Sequence, residues 1–148
     1  MTFWIGIQYL PHYDLDNWGG VEEKYDAACW DFRSVERISI FPYDKPVLVS
    51  LGVKIALPYD MCLFLSVRSG MAVKGLAMRN GYGVIDPDYR GELKVPLIAA
   101  PERVEIYPGD RIVQGKILPV YRNVIVKRYD VLDSTERGEG GFGSTGKR

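Results

Sequence analysis

The sequence predicts an all-β fold of the sandwich, jelly-roll or barrel kind. Three observations carry this: short apolar runs rich in branched and aromatic residues, breaks of Pro, Gly and Asp between them, and little helical periodicity. The run from Val47 to Leu57 stops at Pro58, and Met61 to Val67 follows after Tyr59-Asp60. Further runs are Leu93 to Ile98, Val104 to Tyr107, Arg111 to Val120 and Val124 to Val131. Trp30 to Arg33 alternates as a strand with polar residues on one face. Pro42, Pro58, Pro87, Pro101, Pro108-Gly109 and Pro119 punctuate the series. One helix is expected at Ser69, whose hydroxyl is suited to cap Met71 to Lys74, with Gly75 as the stop. Val21 to Trp30 reads equally as a helix or as irregular chain, given Gly19-Gly20 before it and the alternation after it.

A chain of 148 residues with 47% hydrophobic residues suits one domain with a real core. Lys+Arg and Asp+Glu balance at 19 each, so no global field draws the protein to nucleic acid or to a membrane surface. A polyanionic ligand then needs a few focused cations. Cys29 and Cys62 stand far apart, which argues against a disulfide framework or zinc site and for a reducing, cytoplasmic setting. His12 is the single histidine and reads as an exposed loop residue; it leaves no His-based triad or His-rich metal site. The opening residues lack the basic start and apolar stretch of a signal peptide, and no apolar run reaches the ~20 residues of a membrane-spanning helix.

The glycine-rich segment from Arg137 to Arg148 is the most informative stretch. Gly138 to Gly143 satisfies GxGxxG, and Gly141 to Lys147 spells GxxxxGK. Each motif works only where a strand feeds a helix, which this glycine-rich stretch is not expected to start, and Arg148 stands where a P-loop needs Ser or Thr. The underlying chemistry survives: glycines bring backbone N–H groups close to a phosphate, Ser144 and Thr145 add hydroxyls, and Arg137 adds a planar cation. Phe142 has no core to join and is suited to stack on a flat ligand. A plain disordered tail is the competing reading.

Two further constellations stand inside the β region. In Asn80 to Glu92, Asn80-Gly81 signals a hairpin turn and Asp86-Pro-Asp88 a second turn. Asp86 follows two apolar residues, which would partly desolvate its carboxylate and suit it to deprotonate a water; alternatively both aspartates only shape the turn. In Val67 to Lys74, an arginine beside a capped helix start makes an anion site, or simply a capped helix with a surface arginine. Gly109 to Gln114 reads as a turn entering a strand.

Taken in order, these five segments resemble the five motifs of the trimeric dUTPase family, from Ala28 to Gly146. Gly83-Val-Ile-Asp-Pro-Asp-Tyr-Arg-Gly-Glu92 is similar to the third motif, and Arg137 to Gly146 to the fifth. The resemblance implies a distorted jelly roll (β-clip) that forms a homotrimer, with residues 1–136 as the β domain and 137–148 as a mobile arm. It implies hydrolysis of dUTP to dUMP and pyrophosphate with magnesium. Asp31 would hold the metal through water. Arg68, Ser69, Gly70 and Gln114 would bind phosphate, joined by Arg137, Gly143, Ser144 and Thr145 of the arm. Asn80, Gly83, Val84 and Ile85 would read the uracil edge, Tyr89 would pack under the deoxyribose, and Phe142 would cover the base. Asp86 would activate the attacking water.

The chain departs from the family pattern at Cys29, Trp30 and Phe32, where Gly, Tyr and Leu are usual. Val67 replaces a usual Pro, and Gly115 a larger apolar residue. Two alternatives follow from the same resemblance. A dCTP deaminase would need a glutamate where Pro96 stands. A dUTPase-fold regulatory protein would bind a protein partner through added material such as His12 to Glu23.

Overall fold

The computed structural model describes residues 3–22 and 26–140. Eleven strands and two short helices run in the order β1 (Gly6–Tyr9), α1 (Leu15–Trp18), β2 (Trp30–Arg33), β3 (Ile38–Ile40), β4 (Val47–Ser50), β5 (Val53–Ala56), β6 (Met61–Val67), α2 (Ser69–Val73), β7 (Leu76–Met78), β8 (Gly83–Ile85), β9 (Lys94–Ala99), β10 (Val104–Ile106) and β11 (Arg111–Pro119). The all-β expectation holds. Every pairing between two of these strands is antiparallel, and one isolated bridge, Pro42 with Ala99, is parallel. The largest sheet has the order β2-β11-β6-β8, accompanied by β4-β9-β7 and the pairs β1-β5 and β10-β3.

Alternation along the strands builds the core. In β9, Val95, Leu97 and Ala99 point inward while Lys94 faces solvent. In the large sheet, Phe32, Leu63, Leu65 and Val113 are almost wholly buried. Side chains of alternate rows therefore leave the opposite face free for chemistry.

Packing of this sheet explains two departures noted in the sequence. A Cβ at Gly115 would lie 2.7 Å from Phe32 Cε2, 2.8 Å from Leu63 Cδ1 and 2.9 Å from Leu65 Cδ2. The larger ring at position 32 thus occupies room that a side chain at 115 would need.

Several expectations are corrected. The run from Val47 to Leu57 is two strands, because Gly52 turns the chain at φ +67°. Val21 to Trp30 forms no helix among its described residues, whereas Asp14 caps a helix at Leu15 by accepting from Asn17 N at 3.2 Å. Asn80-Gly81 does make a turn, but the strands it joins, β7 and β8, enter different sheets, so it closes no paired hairpin. Val124 to Val131 forms no strand: Ile125 is 86% exposed and Val126 81%, and neither has a neighbouring edge to pair with. A strand needs such an edge, and within one chain none reaches this run. No described helix is long and apolar enough to cross a membrane.

Candidate active site

The outer face of the large sheet carries a polar row across three strands. Gln114 of β11 stands between Asp31 of β2 and Ser66 of β6. Asp31 is an anchor for two guanidinium groups. Its Oδ1 accepts from Arg68 Nε at 2.9 Å and its Oδ2 from Arg111 Nη1 at 3.1 Å. Arg68 also donates through Nη1 to the Arg111 carbonyl at 3.4 Å, and Gln114 Nε2 lies 3.5 Å from Ser66 Oγ. Two cations against one carboxylate leave a local excess of positive charge, which suits an anionic ligand.

The sequence places Arg111 at the entrance of β11, but it gave no reason to single this residue out. Its partner is 80 residues away in the chain, and only the β2–β11 register joins them. The Gly109-Asp-Arg segment was the one available signal.

Beside this row, Arg68 leads into α2. Ser69 is the first residue of the helix, not its cap, and Arg68 fills the cap position without a side-chain capping bond. The Ser69 hydroxyl is therefore not spent on capping. A Cβ at Gly70 would meet nothing within 4 Å, so crowding inside this chain does not require glycine there.

The residues expected to read base and sugar lie elsewhere. β8 pairs with β6 through Leu63↔Ile85, Phe64↔Val84 and Leu65↔Gly83. Asp86 follows Ile85 and begins a turn closed by Tyr89 N donating to the Asp86 carbonyl at 3.2 Å. Its carboxylate is exposed, which corrects the expectation that its apolar neighbours would desolvate it within the chain. Asp86, Asp88, Arg90, Tyr59 and Arg122 line an open cleft of about 460 Å³. Arg122 stacks on the Tyr59 ring at 4.0 Å and donates to its carbonyl at 2.8 Å. Asn80 and Tyr89 are exposed on the turns flanking β8.

One chain does not bring the two groups together. The β6–β8 register, carried one step past Leu63↔Ile85, sets Asp86 level with Cys62 at one end of β6, while Arg68 continues the other end. Six residues at about 3.3 Å each separate them by about 20 Å along the strand.

Of the arm, Arg137 is described: its Nε donates to the Gly140 carbonyl at 2.9 Å in an exposed turn. Phe142, Gly143, Ser144 and Thr145 lie outside the described residues. Among the described residues, no group of three or more His, Cys, Asp or Glu side chains is arranged to hold a metal.

The antiparallel β fold thus carries a cationic row suited to an anionic ligand at one end of a strand and an acid-bearing turn at the other. Comparison with known proteins gives the family. The dUTPase family model matches residues 22–146. The deoxyuridine 5′-triphosphate nucleotidohydrolase of Nautilia profundicola is 41% identical over 82% of this chain and 86% of its own length. That of Hydrogenobaculum sp. is 40% identical over 94% and 91%. The fold matches the Staphylococcus bacteriophage 80alpha dUTPase with dUpNHpp at a TM-score of 0.78, with 22% identity over 98% of this chain and 99% of that one. It also matches the phage phi11 dUTPase, studied for its structural Mg(II) ion, at 0.71 and 19% identity over 88% and 99%. The chain belongs to the dUTPase family, a family of enzymes.

Proposed function

We propose that this chain hydrolyses dUTP to dUMP and pyrophosphate in sites shared between the copies of a cytoplasmic homotrimer. The observation that carries the reading is the placement of the two half-sites at opposite ends of β6. Arg68, Ser69 and Gln114 of one copy would grip the phosphates, while Asn80 to Tyr89 of another would hold the nucleoside. Gly83, Val84 and Ile85 present a strand edge to the uracil, and Tyr89 excludes a 2′-hydroxyl. The arm, residues 137–148, would close over the ligand, with Phe142 on the base and Arg137, Gly143, Ser144 and Thr145 at the outer phosphates. Residues 1–136 would fold as the one β domain.

Asp86 would hold and deprotonate a water at the α-phosphorus, a role worth about 10²–10⁴-fold in rate. Its exposure within the chain leaves it accessible to a ligand seated on a neighbouring copy. Arg68 and Arg111 would stabilise charge that moves toward the leaving pyrophosphate.

Asp31, already flanked by two arginines, does not make a protein-only metal site. One carboxylate acting together with substrate phosphates and water does fit magnesium, which is commonly held in that way. Bound there, magnesium would neutralise the triphosphate. A deaminase reading is not favoured, because Pro96 lies half-buried in β9 opposite Leu48 and offers no group to move a proton.

Pyrophosphate release measured over dUTP, UTP, dCTP and dTTP tests the reading. Release from dUTP alone is expected, and a chain that releases none from dUTP would refute it.

A further inference from the structure

Glu92 closes the segment that carries Asp86 and Tyr89, and its side chain is held from several directions. Ser50 Oγ donates to Oε1, His12 Nε2 lies 2.9 Å from the same oxygen, and Lys94 Nζ stands 3.7 Å from Oε2. Burial pushes the Glu92 carboxyl up, but the hydrogen bonds from Ser50 and His12 and the charges of His12 and Lys94 outweigh it and hold it below its ordinary value. The Glu92 backbone carbonyl in turn accepts from Tyr89 Oη at 3.0 Å. The residue thus ties the end of the turn to the tyrosine within it.

His12 comes from outside the stretch that matches the family model, which begins at residue 22. Its loop is nevertheless anchored. Leu10 N donates to the Gly52 carbonyl at 2.9 Å, and Tyr13, the residue after His12, is buried and donates through its hydroxyl to the Gly19 carbonyl at 3.0 Å. Beyond it, Trp18 packs so closely on Gly109 that a Cβ there would lie 2.8 Å from Trp18 Nε1. His12 therefore approaches Glu92 from a fixed support and not from a loose tail.

We infer that His12 is a positioning residue of the nucleoside half-site: through Glu92 it fixes the turn that presents Tyr89 to the sugar. This rests on the role proposed above for Tyr89. His12 touches no substrate; it acts by narrowing the positions that the 86–92 turn can adopt. Because the pair is partly exposed, the effect is modest.

The experiment uses the full chain and its variants His12→Ala and His12→Gln, since the glutamine amide can reproduce the Nε2 donor. For His12→Ala, the KM for dUTP should rise by about two- to five-fold with kcat nearly unchanged, and preference for dUTP over UTP should fall by a similar factor. Amide exchange should quicken at Tyr89 to Leu93, while the melting temperature stays near that of the parent. His12→Gln should recover most of each effect. Parent-like exchange and dUTP preference in His12→Ala would overturn the inference, as would a loss of the same size in His12→Gln. If the parent itself fails to hydrolyse dUTP, the proposed function fails, while the exchange measurement still judges the tether.

Discussion

Phe32 and Gly115 share one volume: the ring edge of Phe32 stands where a side chain on Gly115 would have to begin. Both lie in the sheet that sets Asp31 beside Gln114, so their fit controls the spacing of the cationic row. Gly115→Ala gains chain stiffness but forces a methyl among three buried side chain ends, and overpacking of this kind costs about 1–3 kcal/mol. Phe32→Leu should relieve the part of the clash that the ring makes, leaving Leu63 and Leu65 to give way. A double-mutant cycle by chemical denaturation is expected to give a favourable coupling of about 0.5–3 kcal/mol. Simple additivity would show that the two departures are unrelated.

Arg111 deserves the same standing as Arg68. In Arg111→Ala, Asp31 keeps the Arg68 guanidinium and loses that of Arg111, and for a pair in which Arg111 is 38% exposed the stability loss should be about 1 kcal/mol. The effect on dUTP should be larger, with a clear fall in kcat/KM and partial recovery in Arg111→Lys. Unchanged kinetics would make Arg111 a purely structural partner of Asp31.

Asp86→Asn removes the proton acceptor and preserves the shape of the turn. Turnover should fall by about 10²–10⁴-fold while binding of a non-hydrolysable analogue persists. Stability should move by no more than about 0.5 kcal/mol, because the side chain is exposed. Parent-like turnover would leave Asp86 a turn residue only.

Much of the fold was legible because burial imposes a two-residue period that the sequence cannot hide. Val95, Leu97 and their neighbours in β9 are an example. What was illegible depended on contacts distant in the chain. The 124–131 run has strand chemistry, yet within one chain it has no edge to pair with. Asp14 before Leu15 and Gly19 after Trp18 did mark a helix, but four residues give too little periodicity to detect. In the candidate site, Asp31, Arg68 and Gln114 were expected from separate motifs through the family resemblance, and only the strand register brings them together with Arg111. Tyr89 and Asp86 were expected from a further motif, but their distance from that group could not be read without the pairing of β8 with β6.

Deletion of residues 137–148 separates a lid from a spare tail. Loss of a lid should reduce turnover heavily while the melting temperature and the three-copy assembly state stay unchanged. Phe142→Ala should show a partial effect, since stacking on a base is worth about 1–3 kcal/mol. A truncated chain with parent-like turnover would remove the arm from the mechanism.

The separation of Asp86 from Arg68 along β6 also has a genetic meaning. Two defective alleles, one carrying Asp86→Asn and the other Arg68→Ala, need not fail together. If their products assemble at random in one cell, about one site in four draws an intact nucleoside half from one product and an intact phosphate half from the other. Such alleles should complement, and two alleles damaged in the same half should not.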